Sequence, residues 1–298
     1  MRILVLGSAA GGGFPQWNCN CPVCRLAWDG DPRVKARTQS SLAVSADGER
    51  WLLLNASPDL REQIIDQPAL HPRGASRHSP IAAVFVTNAD VDHLTGLLTL
   101  REQQPFSVFG SSYTLAQIES GVFGVLNREL VRKVPVNLDA PVDTEIGLTV
   151  TPFAVPGKVA LYLEGDAVDV GAESETTVGL EISDGTNTFF YVPGCSDVND
   201  RVLKRLAGAR LLFFDGTTYT DDEMVALGLS QKTAHRMGHV AMSGENGSIA
   251  RLASSGIGRK VYVHINNTNP VLIEDSQERA SVVKAGWDVG FDGMEVKL

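Results

Sequence analysis

The segment Ala82–Leu98, AAVFVTNADVDHLTGLL, restricts the possible folds more than any other stretch, because an apolar strand-length run stops at a short polar loop closing on Asp92-His93. An apolar strand that ends in a cluster of ligand-type side chains is how a metal site is hung from a β-sheet. Asn88, Asp90, Asp92 and His93 all offer oxygen or nitrogen lone pairs, and none is a cation. Asp92 would also serve as an N-cap for a helix beginning near Leu94, accepting backbone N–H groups. Four such residues within six positions exceed what one cap uses.

The same grammar recurs along the chain. Ile3–Leu6, Ser41–Ser45, Trp51–Leu54 and Ile81–Val86 read as strands, with Asp47-Gly48 as the turn of a hairpin between the second and third. Ser57-Pro58-Asp59 opens a short helix to about Ile65, and Gln67–Pro80 is a polar loop whose His71 and His78 read as solvated. A helix is expected from Leu94 to about Gln104. Further strands are expected at Leu148–Val155, Leu161–Glu164, Thr177–Ser183 and Thr188–Val192, around an acidic loop from Asp166 to Glu175. Then come a helix over Asp197–Leu206, a buried strand over Arg210–Phe214, a helix over Gly244–Ser254 and a buried strand over Lys260–His264. This is a second meander mirroring the first, with ligand candidates at the ends of inner strands. LLFF delivers Asp215, KVYV delivers His264, and FFYVP delivers Gly194-Cys195-Ser196-Asp197. His235 and His239 would share a helical face, although Gly238 between them equally suits a loop.

Length and charge exclude several classes. At 298 residues with 43% hydrophobic content the chain buries a large core, and it is read as one domain, 1–298. A net charge of -9 argues against backbone-driven nucleic-acid binding, which needs clustered Lys and Arg. No stretch approaches the roughly 18 apolar residues of a membrane span, and MRILVLG lacks the organisation of a signal peptide, so a cytoplasmic protein is expected.

In a reducing compartment the four cysteines need a role other than disulfides. Cys19, Cys21 and Cys24, in NCNCPVC, are spaced for thiolates converging on one structural zinc, within a loop of about residues 14–26. A fourth ligand must come from elsewhere, a histidine or Asn267. Cys195 is isolated and reads as a small core residue. Gly7, Gly11, Gly12 and Gly13 follow a strand but lack the GxGxxG spacing of a dinucleotide site, and they suit close backbone turns instead.

Two β meanders, each followed by helices, with a metal loop in the first half, resemble the metallo-β-lactamase fold. That fold is an α/β (α+β four-layer) αβ/βα sandwich of two mixed sheets flanked by helices. Its HxHxDH signature falls on Asn88, Asp90, Asp92 and His93, so the last two ligands persist and both leading histidines are lost. Together with LGSAAGGGFPQWNCNCPVC near the start and VHINNTNP near the end, this resembles the coenzyme PQQ synthesis protein B family over the whole chain. In related hydrolases a further histidine falls near Val155–Lys158, where this chain has Gly157, and a bridging Asp falls near Cys195. The late histidine survives as His264, and His239 matches a substrate-contacting histidine.

The resemblance implies a role in making pyrroloquinoline quinone from a Glu-Tyr cross-linked precursor. With the first site stripped, two-metal hydrolysis is disfavoured, and Asp92, His93 and His264 form the two-histidine, one-carboxylate set of non-haem Fe(II) oxygenases. The expected step is an O2-dependent hydroxylation of the tyrosine-derived ring, with Fe(2+) or another divalent metal on those three residues. Asp90, Asp215 and His239 serve as supporting or acid/base groups. Two alternatives stand beside it: a metal-dependent hydrolase acting on the precursor, and a carrier of PQQ or its precursor towards the periplasm. A homodimer is the default assembly.

Overall fold

A computed structural model describes all 298 residues. The strands are β1 (Arg2–Gly7), β2 (Ser41–Ser45), β3 (Trp51–Leu54), β4 (Ile81–Phe85), β5 (Phe106–Gly110), β6 (Val131–Pro135), β7 (Val142–Asp143), β8 (Thr149–Gly157), β9 (Ala172–Ser183), β10 (Thr188–Val192), β11 (Leu211–Asp215), β12 (Arg259–Val263), β13 (Trp287–Val289) and β14 (Glu295–Lys297). They form two seven-stranded sheets, ordered β14-β1-β2-β3-β4-β5-β6 and β13-β12-β11-β10-β9-β8-β7. The first is antiparallel from β14 to β3 and parallel from β3 to β6. The second repeats this plan, antiparallel from β7 to β10 and parallel from β10 to β13.

The alternation along each strand explains the layering. Ile3 and Val5 point between the sheets, against Leu180, Phe213 and Val261 of the second. Leu4 and Leu6 point outward to a cluster that holds Leu60, Leu94, Leu97 and Leu115 from the covering helical segments. On the far side, Phe153, Leu212 and Phe214 pack against Val202, Leu206 and Val282 from the helices Asp200–Leu206 and Gln277–Lys284. Strands buried on both faces read as continuous apolar runs, which is why β4, β11 and β12 are legible in the sequence.

Several expected elements differ: the helix expected over Asp197–Leu206 begins only at Asp200, and the strand expected over Thr177–Ser183 starts at Ala172, within the expected acidic loop. Leu161–Glu164 is not a strand: Leu161–Leu163 is a single 3₁₀ turn on the surface, with Leu161 and Tyr162 exposed. The helix expected over Gly244–Ser254 shrinks to Ser248–Arg251, because Gly244 takes a left-handed φ of 91° and the loop before Gly247 folds back on itself. The helix expected from Leu94 starts earlier, as one α-turn at Val91–Leu94 that tightens into 3₁₀ over Thr95–Arg101. Its N-cap is therefore Asp90, not Asp92, which leaves the Asp92 carboxylate for other partners.

Candidate metal centre

The two sheets bring their strand ends together at one edge of the sandwich. From the first sheet, β4 runs into Thr87, Asn88 and the turn bearing Asp92 and His93; from the second, β11 ends on Asp215 and β12 is followed by His264. His264 Nε2 lies 3.1 Å from Asp92 Oδ2, a contact across 172 residues of sequence. His93 Nε2 stands 3.7 Å from the same oxygen. The donor atoms of Asp92, His93 and His264 all lie within 4.8 Å of one another, close enough for one ion. His93 Nε2 is buried and has no hydrogen-bond partner. A buried imidazole nitrogen without a proton partner, aimed at a carboxylate and a second imidazole, fits a divalent cation.

Its neighbours explain why that nitrogen is free. Asn88 Oδ1 lies 2.7 Å from His93 Nδ1. A carboxamide oxygen only accepts, so Nδ1 carries the proton and Nε2 keeps its lone pair towards the centre. Asn88 thus orients His93 from behind, its side-chain oxygen engaged with that ring. Thr87 stands 3.4 Å from the same Nδ1 and is fixed by the Asn55 carboxamide.

Thr217, which the sequence reading did not single out, sets the other two rings. Its hydroxyl lies 2.7 Å from Asp215 Oδ1, 2.9 Å from His264 Nδ1 and 3.1 Å from His239 Nδ1. One hydroxyl proton goes to the closest anionic acceptor, the Asp215 carboxylate, so the oxygen accepts from His264 Nδ1–H and His264 Nε2 faces Asp92. His239 Nδ1 is nearer Asp215 Oδ2, at 2.7 Å, and donates there. Asp215 also takes the backbone N–H groups of Thr217 and Cys195, each at 3.0 Å. Its four acceptor positions are filled by these donors. Asp215 with His239 and His264 also has metal-like proximity, but the four donors on its carboxylate occupy the lone pairs a metal would use, which suits a supporting role. The signal that would have found Thr217 is its place two residues after a strand-end Asp, where a hydroxyl can cap the tip.

Electrostatics follow from the packing. Burial opposes ionisation of Asp92, and the adjoining His93 and His264 imidazoles outweigh it, holding the carboxyl below the usual carboxylate range. Burial likewise opposes ionisation of Asp215, and His239 reverses it. Burial pushes His93 down, towards the neutral form that ligates metals. The His264 backbone sits at φ 55°, a left-handed conformation costing of order 1 kcal/mol outside glycine. It is held by the backbone N–H of the next residue, Ile265, which donates to the Ser8 carbonyl.

The remaining candidates fall into place individually. Asp90 caps the Val91 turn without a side-chain cap bond, and its charge reaches His93 and His264. His235 and His239 do not share a helical face: the helix Ala234–Met237 stops at Gly238, whose left-handed φ of 94° turns His239 towards Asp215. The Cys195 thiol lies 3.0 Å from the Asp197 carbonyl, pointing away from the centre, and only its backbone N–H serves Asp215. A side chain at Gly157 would put its Cβ 2.6 Å from Thr177, so the imidazole of the hydrolytic relatives has no room there. Beside His239 opens a cleft of about 740 Å³ lined largely by polar groups, among them Ser196, Asp197, Asp221 and His235.

A second donor cluster stands apart. Cys21 caps the helix Pro22–Trp28, and its sulfur accepts from Cys24 N at 3.4 Å. The sulfurs of Cys19, Cys21 and Cys24 lie within 4.8 Å of one another. The hydrogen bond from the Cys24 thiol pulls the Cys21 thiol down, towards the thiolate that zinc requires. Of the two expected sources of a fourth ligand, the structure brings Asn267: its carbonyl oxygen is 3.8 and 3.7 Å from the Cys21 and Cys24 sulfurs. Asn267 lies three residues after His264, so the thiol cluster braces the loop that carries a ligand candidate of the main centre.

Two mixed sheets in a four-layer sandwich, with donors gathered at the strand ends, define a metallo-β-lactamase-fold protein, and residues 50–265 match the family model of the Beta-lactamase superfamily domain. The superfamily fold is shared with a diphosphatase of the PhnP family at a TM-score of 0.69 and 19% identity, covering 100% of this chain and 97% of that one. More narrowly, the chain belongs to the coenzyme PQQ synthesis protein B family. It is 56% identical to a Methylorubrum extorquens member and 50% to that of Xanthomonas campestris pv. campestris, with 100% of each chain covered. The crystal structure of Zn(2+)-bound PqqB from Methylobacterium extorquens superposes with a TM-score of 0.98 at 56% identity over 100% of both chains. No helix is long and apolar enough to cross a membrane.

Proposed function

We propose that this chain acts in the synthesis of pyrroloquinoline quinone, hydroxylating the tyrosine-derived ring of the Glu-Tyr cross-linked precursor with O2. The observation that carries the reading is the donor set: Asp92, His93 and His264 converge, while Asn88 and Asp90 stand where a two-metal hydrolase keeps histidines and Asn88 is engaged with His93. Two imidazoles and one carboxylate are the ligand set of mononuclear non-haem iron oxygenases. Bound there, ferrous iron supplies the one-electron chemistry through which O2 reacts with a closed-shell ring. One oxygen atom enters a ring C–H bond, the other leaves as water, and a reductant supplies two electrons.

The residues around the centre bind, orient and move protons. Asn88 and Thr217 fix the His93 and His264 tautomers so that both Nε2 lone pairs face Asp92. The Asp215–His239 pair holds an imidazole beside the cleft with its Nδ1–H committed to the carboxylate, so Nε2 is the atom that takes a proton from, or returns one to, the ring hydroxyl. Asp90 adds negative charge next to His93 and His264. Cys19, Cys21 and Cys24, with Asn267, hold a structural zinc.

The test is anaerobic loading of the purified protein with iron, zinc or manganese, followed by the precursor and O2. Iron alone should give product heavier by one oxygen atom with matching O2 consumption, abolished by a chelator. Product gaining water without O2 consumption points to the hydrolase, and binding without turnover points to the carrier; either result overturns the proposal.

A further inference from the structure

Residues 158–171 link the two halves of the centre. The Tyr162 hydroxyl donates to the Ala89 carbonyl at 3.1 Å, on the loop that carries Asp92 and His93. At the other side the Lys158 stem packs on Gly238, next to His239: a Cβ on Gly238 would lie 3.1 Å from Lys158 Cγ. Pro156, just before this segment, and Gly171, its last residue, line the cleft beside His239. Within the segment, the Glu164 carboxylate is gripped by three cations, Lys158 Nζ at 2.9 Å, Arg236 Nη2 at 3.2 Å and Lys232 Nζ at 3.7 Å. Glu164 and Lys158 are largely buried there, each side chain 11% exposed.

The charges do not balance. Glu164 is the one carboxylate within ion-pair distance of Lys158, Lys232 or Arg236, in a chain whose net charge is -9. Three cations converging on one carboxylate repel each other, and side chains that needed only a surface ion pair would gain little by such crowding. Three cations on one carboxylate leave an excess of positive charge where Lys158 packs on Gly238, next to His239, and such an excess draws anions and raises their local concentration. Lys and Arg, one a compact charge and one a bidentate fork, together suit carboxylates in more than one orientation.

We propose that Lys158, Lys232 and Arg236 form a carboxylate-recognition site for the substrate, an aromatic polycarboxylate, and that Glu164 is its internal occupant, displaced when a substrate carboxylate enters. The inference rests on the reading of the Glu-Tyr precursor as substrate, since glutamate and tyrosine joined at the ring present several carboxylates around one aromatic ring. Exchange of one carboxylate for another conserves the ion pairs, so entry does not strip the cations of a partner. It also lifts the strap at Glu164, on the segment whose Tyr162 touches the Asp92-His93 loop.

The experiment separates binding from turnover. Calorimetric titration of the metal-loaded protein with trimesate, and with uncharged benzene-1,3,5-tricarboxamide as control, reads the site without any reaction. Glu164→Gln keeps the shape and removes the competing charge, so trimesate should bind roughly three- to tenfold tighter. Arg236→Gln and Lys232→Gln, both on half-exposed side chains that tolerate change, should weaken it about tenfold and about threefold. Arg259→Gln, a cation paired with Asp288 at the far end of β12, should leave it unchanged. The tricarboxamide should show no preference among variants. KM for the precursor should follow the same order with kcat little altered. Unchanged or weaker trimesate binding in Glu164→Gln, or equal effects of Arg236→Gln and Arg259→Gln, overturns the inference. If no hydroxylation is found but trimesate follows the expected order, the recognition site stands and the oxygenase reading fails; turnover without that order has the opposite meaning.

Discussion

Thr217→Val isolates the hydroxyl that sets the tautomer of the centre at nearly constant volume. Thr217 is buried at 4% exposure, and its oxygen joins Asp215 to His264 Nδ1. Removing it leaves the buried His264 Nδ1–H without an acceptor, at about 1–3 kcal/mol, and deletes one charge-assisted bond to Asp215 of about 1.5–3 kcal/mol, while the separate bond from the Thr217 backbone N–H to the same carboxylate stays. A loss of ~3 kcal/mol in the metal-free protein is expected. At roughly 2.1 cal/mol/K per residue, 298 residues give an unfolding entropy of about 0.63 kcal/mol/K, so Tm should fall by about 5 °C. The ring is also released to adopt the other tautomer, which turns an N–H towards Asp92. Loss of such a supporting partner lowers metal affinity about 10- to 100-fold. Calorimetric metal titration and thermal unfolding of the metal-free form read both effects, and Thr217→Ser, which keeps the hydroxyl, should recover most of each. Metal affinity within about twofold of the parent in Thr217→Val, with an unchanged metal-free Tm, would refute the relay.

Asn88→Ala frees His93 Nδ1–H and should cut metal affinity at the main centre about tenfold, while Asn88→Asp, which still accepts that proton, should lose less; competition with a chromophoric chelator measures both. Cys21→Ser should lower total zinc by one equivalent and leave iron bound by Asp92, His93 and His264 in place, as metal analysis will show; loss of both metals would contradict two separate sites. Hydrogen bonds from Arg236 and Lys158 hold the Glu164 carboxyl down at about 2, below its ordinary value. A depressed folded-state value means that its stabilisation is present above the unfolded value and is lost as pH falls through about 2. Between about pH 4.5 and 2 the parent should therefore lose stability more steeply than Glu164→Gln, which has no carboxyl to protonate there; parallel profiles in acid denaturant titrations would contradict it.

Much of the sandwich could be read from the chain alone, because strands covered on both faces carry unbroken apolar runs. β2 and β3 fall where the runs placed them, and β1, β4, β11 and β12 fall there within a residue or so. The surface resisted for the opposite reason. At Leu161–Leu163 apolar residues lie exposed in a 3₁₀ turn, and a run that buries nothing carries no period of its own. The tight spacing of Cys19, Cys21 and Cys24 was local information too, and local spacing suffices to gather three sulfurs around a helix start.

What the sequence determined by itself is therefore the set of tips: strands that must be buried, ending in Asp92-His93, Asp215 and His264, and three thiols that close on each other. Only the tertiary structure decided how those tips are used. Asp92 meets His264 across 172 residues, a pairing that depends on how two sheets stack and not on any spacing within either. The same stacking gives Asn88 to His93 as an orienting acceptor, saturates Asp215 with four donors, and places Thr217 between two imidazoles. A lone pair's direction is set by the neighbour on the other ring nitrogen, and that neighbour is known only once the chain has folded.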